Sequence, residues 1–390
     1  MIQNERASRH EHVLDVARQM MTAARTAPKG FSHNPSFFFL TGMTKSTWIL
    51  LALTLAAGLA SLTAGAADIS LAAVLTGDAE ALHVLLASRL PRLAAVLCTG
   101  VGMSIAGLIM QQLCANKFVS PTTGATISSA QLGILIALLF FPDSSLWSRA
   151  AFAFLAAIAG TWVFVWFILR IPMKDPVMVP LIGIMFGNVI GGITSFLAFR
   201  FDMTQALSTW LVGHFSLVLR GNYELVYLVV PLIAAAWIYA KWFNIVGMGK
   251  EFSKNLGVNY SLVLFAGLSI AAMITASVVT VVGSISYIGL IVPNLVAIFK
   301  GDDLRATLPD TALFGALFVL ICDVIGRLII MPYELPIELI IGTVGSLLFI
   351  VLIFYRLRFG RRSLTKDRLL ELFGLTRRAR PGCCNPAVIK

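Results

Sequence analysis

Asp323 and Arg327 are the first residues in this sequence that could do chemistry, because a carboxylate and a guanidinium four positions apart share one face of a helix. Within an apolar run such a pair either neutralises itself or starts a proton relay. A relay needs more members, and almost no other ionisable residue falls inside a long apolar run. The five cysteines, Cys98, Cys114, Cys322, Cys383 and Cys384, make no disulfide framework, and with the five histidines they show no zinc spacing. Nucleotide and hydrolase motifs of the forms G-x-x-x-x-G-K-[ST], H-E-x-x-H and G-x-S-x-G are absent. Gly249 and Lys250 come nearest to the first of these, but Asn244 stands at the first glycine position and Glu251 follows the lysine. The chain therefore reads as a non-enzyme with no cofactor or metal of its own, and any ATP it depends on must be hydrolysed by another polypeptide.

The elements that would position these residues follow from composition. The 390 residues are 58% hydrophobic and 13% charged, against roughly 25% charged in an average soluble domain. A spanning helix needs about 20 apolar residues to cross roughly 30 Å of hydrocarbon. Ten such runs are expected, at 46–66, 93–112, 122–141, 149–169, 178–199, 223–240, 261–282, 285–299, 310–331 and 337–355, the eighth being short. Runs such as 48–55 and 347–354 are apolar on every side, which excludes the alternating pattern of a barrel strand. The fold class is thus an all-α polytopic membrane protein of about ten transmembrane helices.

With both termini in the cytoplasm, 24 of the 30 lysines and arginines fall on the inner side, 16 of them in the two tails. That bias orients the chain. It also accounts for the net charge of +11 through anionic lipid rather than nucleic acid. The expected organisation is an N-terminal extension at 1–45, a permease domain at 46–358 and a basic tail at 359–390. The extension has an amphipathic stretch at 10–25 but no apolar signal-peptide core. Met43 would make an ordinary start, so 1–42 are read as dispensable or as an upstream-start artefact.

Two further patterns ask for partners. Gly183, Gly187, Gly191 and Ser195 recur every four residues, stripping one helix face of bulk so that another backbone can approach. Residues 241–260, KWFNIVGMGKEFSKNLGVNY, set glycines at 247, 249 and 257 around a short amphipathic helix with Phe252 and Leu256 as its apolar points. That ridge either lies on lipid head groups or meets another protein.

Several motifs together resemble the iron-siderophore and vitamin B12 importer permeases, the membrane subunits of type II ABC importers. Arg89, Leu90, Pro91 and Arg92 enter a span that continues through Gly100, Gly102 and Gly107 to Gln111 and Gln112. The run GSISYIGLIVPN from Gly283 through Gly289 and Pro293 to Asn294 looks like the family's G-x-I-x-F-x-G-L-x-x-P-H. Gly301, Asp302, Asp303 and Arg305 follow it. Asp323 and Arg327 match D-x-x-x-R, and Glu334, Leu335 and Pro336 match E-L-P.

The resemblance implies ten spans and an alternating-access path for ferric siderophore from periplasm to cytoplasm through the inner membrane. It implies two ABC ATPase subunits, a second permease chain in a heterodimer rather than a homodimer, and a periplasmic siderophore-binding protein. Gly249, Glu251, Phe252, Leu256 and Gly257 would then form the ATPase-coupling helix, and Asn116 and Phe118 the cytoplasmic gate. Arg89, Arg92 and Arg327 would dock the binding protein, although Arg327 cannot serve fully if Asp323 holds it. Departures are Lys117 for the gate proline, Asn294 for histidine, Glu338 for the glycine after E-L-P-I, and Leu347 for a proline. The form V-P-N followed by G-D places the chain nearest the catecholate branch. An ion-coupled secondary carrier is the alternative, disfavoured by the missing mid-membrane carboxylates.

Overall fold

The computed structural model describes residues 45–63 and 78–359, apart from 124, 144, 171–177, 217, 219, 220, 222 and 332. The chain divides into two units, Met1–Trp48 and Ile49–Lys390. Of the first, only the opening helical turn from Lys45 lies among the described residues. The expectations for 1–42, for the basic tail beyond 359 and for Cys383 and Cys384 fall outside them.

Twelve helices follow in order among the described residues: α1 (Lys45–Thr63), α2 (Ala79–Leu113), α3 (Thr126–Phe140), α4 (Leu146–Arg170), α5 (Met178–Arg200), α6 (Thr204–Leu211), α7 (Val229–Gly247), α8 (Lys250–Asn255), α9 (Tyr260–Val282), α10 (Ile288–Lys300), α11 (Leu304–Leu328) and α12 (Ile337–Phe359). Pairing between extended segments is confined, among the described residues, to one bridge from Val212 to Ser284. The protein is an all-α membrane-spanning bundle.

Eight helical stretches are long and apolar enough to cross a bilayer, while α3 and α10 are apolar but shorter. Eight long and two short elements match the ten expected runs, with a physical reason for each short one. α10 spans 13 residues because Gly283 (φ 90°) and Tyr287 (φ 69°) turn the chain out of helical geometry ahead of it. α3 starts at Thr126 because Pro121–Thr123 forms a 3₁₀ turn instead of the helix expected from 122. The run expected at 93–112 is longer than its apolar stretch suggested. It extends back to Ala79 through a wide turn at Leu85–Arg89, where the Leu90 N–H reaches the Leu85 carbonyl just ahead of Pro91.

α2 and α9 form the centre, with 72% of each spanning window buried, against 17% for α5. Small residues on α2 let its neighbours in. A Cβ on Gly100 would lie 2.6 Å from the Gly315 carbonyl oxygen of α11, and one on Gly107 would overlap the backbone of Gly289 in α10. Of the four-residue stripe on α5, Gly183 and Gly187 are buried in the bundle, whereas Ser195 is exposed.

Candidate functional site

α2 carries polar groups just past its wide turn and again at its C-terminal end, and each place gathers residues from distant parts of the chain. Just past the turn Arg92 meets Asp323 of α11. Arg92 Nη2 and Nε donate to Asp323 Oδ1 at 2.9 Å and 3.3 Å, and Arg92 Nη1 donates to both Glu334 oxygens at 2.8 Å. Arg327 pairs with Asp323 Oδ2 one helical turn away, and its Nη1 and Nη2 donate to Ser61 O at 2.9 Å and Ser61 Oγ at 2.5 Å. Asp323 thus accepts from two guanidinium groups, and their further bonds to Ser61 and Glu334 tie α1, α2, α11 and the segment before α12 together. Of the two roles open to it from sequence, neutralisation is the one the geometry supports.

This arrangement corrects the expectation for Arg327. At 2% exposed it does not reach a surface where a soluble partner could touch it, because Asp323 and Ser61 take its donors inside the bundle. Arg89 is also buried, on the wide turn of α2. Arg92 and Glu334 keep side-chain exposures of 13% and 32%. They border a cavity of about 320 Å³ lined also by Thr209, His214, Ser216 and Pro336. Glu338, which in sequence is only a departure from the family pattern, holds irregular backbone in place. Its carboxylate accepts the Ser284 hydroxyl at 3.0 Å and the Gly213 N–H at 3.4 Å. An unpaired polar group within an apolar bundle would be costly there.

At the C-terminal end of α2 lies the short helix α8. Gly249, at φ 108° and ψ 163°, opens it in a region that side chains exclude. Gly257, at φ 73°, closes it: the Gly257 N–H reaches Lys254 O at 3.0 Å and the Val258 N–H reaches Ser253 O at 2.9 Å. These two bonds form a Schellman cap. Ser253, which the sequence did not single out, is fully buried, and its one hydroxyl proton is shared between Gly249 O at 2.8 Å and Ile245 O at 3.1 Å, the second contact setting α8 against the end of α7. Phe252 and Leu256 are left 46% and 56% exposed, as expected from their spacing, and Met248 at 65% extends the ridge. Glu251 is exposed in the first turn.

The loop between α2 and α3 sits beside α10. Asn116 Oδ1 accepts the Phe118 N–H at 2.9 Å, an Asx turn that fixes the loop tip. Phe118 is 56% exposed and its ring stands edge-on to Phe349 of α12, with centroids 6.1 Å apart. Lys117 pairs with Asp302 at 2.6 Å. Cys114 at the loop's start is buried, which pushes its thiol up to about 12, so it acts as a small apolar residue.

Pro293 explains the neighbouring polar contacts. Lacking an N–H, it leaves the Gly289 carbonyl without its helical donor. Gln111 Nε2 fills that vacancy at 3.1 Å, and Asn294 Nδ2 donates to Leu290 O and Lys117 O at 2.7 Å each. Replacing Gln111 by leucine is expected to lower stability by about 1–3 kcal/mol, since a buried carbonyl loses its partner; thermal unfolding of the purified protein in detergent measures it.

Comparison with known proteins agrees with this architecture. The chain is 48% identical over 272 residues to the petrobactin import system permease YclN of Bacillus subtilis, covering 70% of this chain and 86% of that one. It is 36% identical over 326 residues to the petrobactin import system permease FatD of Bacillus anthracis, covering 84% and 94%. It is 37% identical over 290 residues to the ferric-anguibactin transport system permease FatD of Vibrio anguillarum, covering 74% and 92%. A solved ABC transporter chain described as of metal-chelate type, in an inward-facing conformation, superposes with a TM-score of 0.71 at 24% identity, covering 80% of this chain and 99% of that one, and so shares the fold. The profile of the FecCD transport family matches residues 53–355, so this chain belongs to that family.

Proposed function

We propose that this chain is the membrane permease of an ABC importer that carries ferric siderophore inward by alternating access, with ATP hydrolysed by a separate polypeptide. The observation that carries this reading is the ridge of Met248, Phe252 and Leu256. Three large apolar side chains, Phe252 on α8 and Met248 and Leu256 flanking it, stand in the open on a segment bounded by two glycine turns and tied to α7 through Ser253. Anchored, exposed and apolar is what a handle gripped by a soluble partner requires. The lysine and arginine bias of the sequence puts α8 on the cytoplasmic face and the Arg92 cluster on the outer face of the inner membrane.

The cargo follows from the relatives, two named for petrobactin and one for ferric-anguibactin. Bulky chelates of this class suit a path between two permease chains, a heterodimer here, fed by a periplasmic binding protein. Of Arg89, Arg92 and Arg327, Arg92 is the one with an exposed edge for an acidic lobe of that protein, and charged rims of this kind steer docking. Asn116 and Phe118 form the cytoplasmic gate.

The deciding experiment uses the assembled transporter in liposomes. Wild-type vesicles are expected to take up radioiron-loaded petrobactin only with ATP and the partner ATPase. Leu256→Asp combined with Gly257→Pro is expected to abolish ATPase association while the permease still inserts. Uptake without any ATPase, or association that survives this change, would overturn the reading.

A further inference from the structure

The α7–α8 segment and the loop at 114–120 are separated by more than a hundred residues in sequence, yet two indirect routes join them, one through the last turn of α2 and one through the turn at 301–304. The first route is steric. α7 ends on Gly247, where a Cβ would lie 2.5 Å from Gln112 Nε2 and 2.8 Å from the Gln112 carbonyl oxygen. That carbonyl accepts the Ala115 N–H at 3.2 Å, so α7 bears on the residue from which the loop turns.

The second route is polar. Asn244 of α7 donates from Nδ2 to Asp303 Oδ1 at 2.8 Å and accepts the Leu304 N–H at 3.1 Å. Asp303 caps α11, and the adjacent Asp302 pairs with Lys117 at 2.6 Å. The Lys117 carbonyl is in turn held by Asn294 at 2.7 Å. Ser253 joins α8 to the same stretch through Ile245, the residue after Asn244.

We propose that α8, the end of α7, the turn at 301–304 and the loop at 114–120 form one mechanical body, so that displacement of the Phe252 and Leu256 ridge is delivered to Phe118. This rests on the coupling and gate roles proposed above. It also gives Lys117 a purpose. A proline at that position would stiffen the loop through its own ring; lysine instead ties the loop across to Asp302, on the element that Asn244 holds.

The test is independent of cargo. In the assembled transporter in lipid nanodiscs, Phe118→Cys is labelled with a maleimide with and without ATP, and modification of residue 118 is read by mass spectrometry. ATP is expected to change the labelling rate, and adding Lys117→Asp is expected to shrink that change by roughly five- to tenfold while ATP hydrolysis continues. Restoring the pair in reverse, Lys117→Asp with Asp302→Lys, is expected to recover most of the response. A full ATP response in Lys117→Asp, or no recovery in the reversed pair, would overturn the linkage. If Leu256→Asp with Gly257→Pro leaves the ATPase bound, the coupling reading itself fails; if it detaches the ATPase while Lys117→Asp responds normally, the linkage alone fails.

Discussion

Replacing Asp323 by alanine is expected to destabilise the protein by about 3–5 kcal/mol, the loss found when one partner of a buried ion pair is removed. The carboxylate is 3% exposed as a residue and accepts from Arg92 and Arg327 at once. Without it, Arg327 keeps only the Ser61 oxygens among the partners described above, and its charge stays inside the bundle. Asp323→Asn keeps the shape and one acceptor oxygen, so it should lose less. Asp323→Leu with Arg327→Met should recover part of the loss, because an apolar pair of similar volume carries no desolvation penalty. Thermal midpoints of the detergent-solubilised variants measure all three. A midpoint for Asp323→Ala equal to that of the parent would show that the cluster does not hold these elements together.

The second large effect is expected at Gly107. Any Cβ there overlaps the Gly289 carbonyl and Cα, and both sides of the contact are backbone, so no side chain can swing away. Gly107→Val must therefore push α2 and α10 apart, costing about 3 kcal/mol or more, the upper end of overpacking. The separation would also pull Gln111 from the Gly289 carbonyl that Pro293 leaves open. Gly192→Val is the control, since a Cβ at Gly192 meets nothing within 4 Å. Folded yield and thermal midpoint should fall for the first variant and hold for the second. Equal behaviour of the two would argue against a tight seam between α2 and α10.

Much of the molecule is local in origin and was legible on that account. A run of apolar residues long enough to cross a bilayer declares itself without reference to anything distant, and so the ten helices fall close to the expected ranges. Helical spacing alone puts Asp323 and Arg327 on one face, leaving open whether they pair, and the glycines around Phe252 and Leu256 mark a short helix in the same way. The two short helices were harder. Their lengths depend on Tyr287 adopting a left-handed conformation and on the turn at Pro121, neither of which composition reveals.

Tertiary structure alone decided which distant groups meet. Arg92 and Asp323 are 231 positions apart, and whether they touch depends on how α2 and α11 are rotated about their axes. That rotation buries Arg327 instead of presenting it at a rim. The same holds for Glu338 on Gly213 and for Lys117 on Asp302, two residues that sequence marked only as departures from a family pattern. Hydropathy and helical spacing are properties of neighbouring residues and are fixed by the sequence itself. Ion pairs across a bundle are fixed by packing, in which small residues such as Gly100 and Gly107 set how closely, and at what angle, the helices approach.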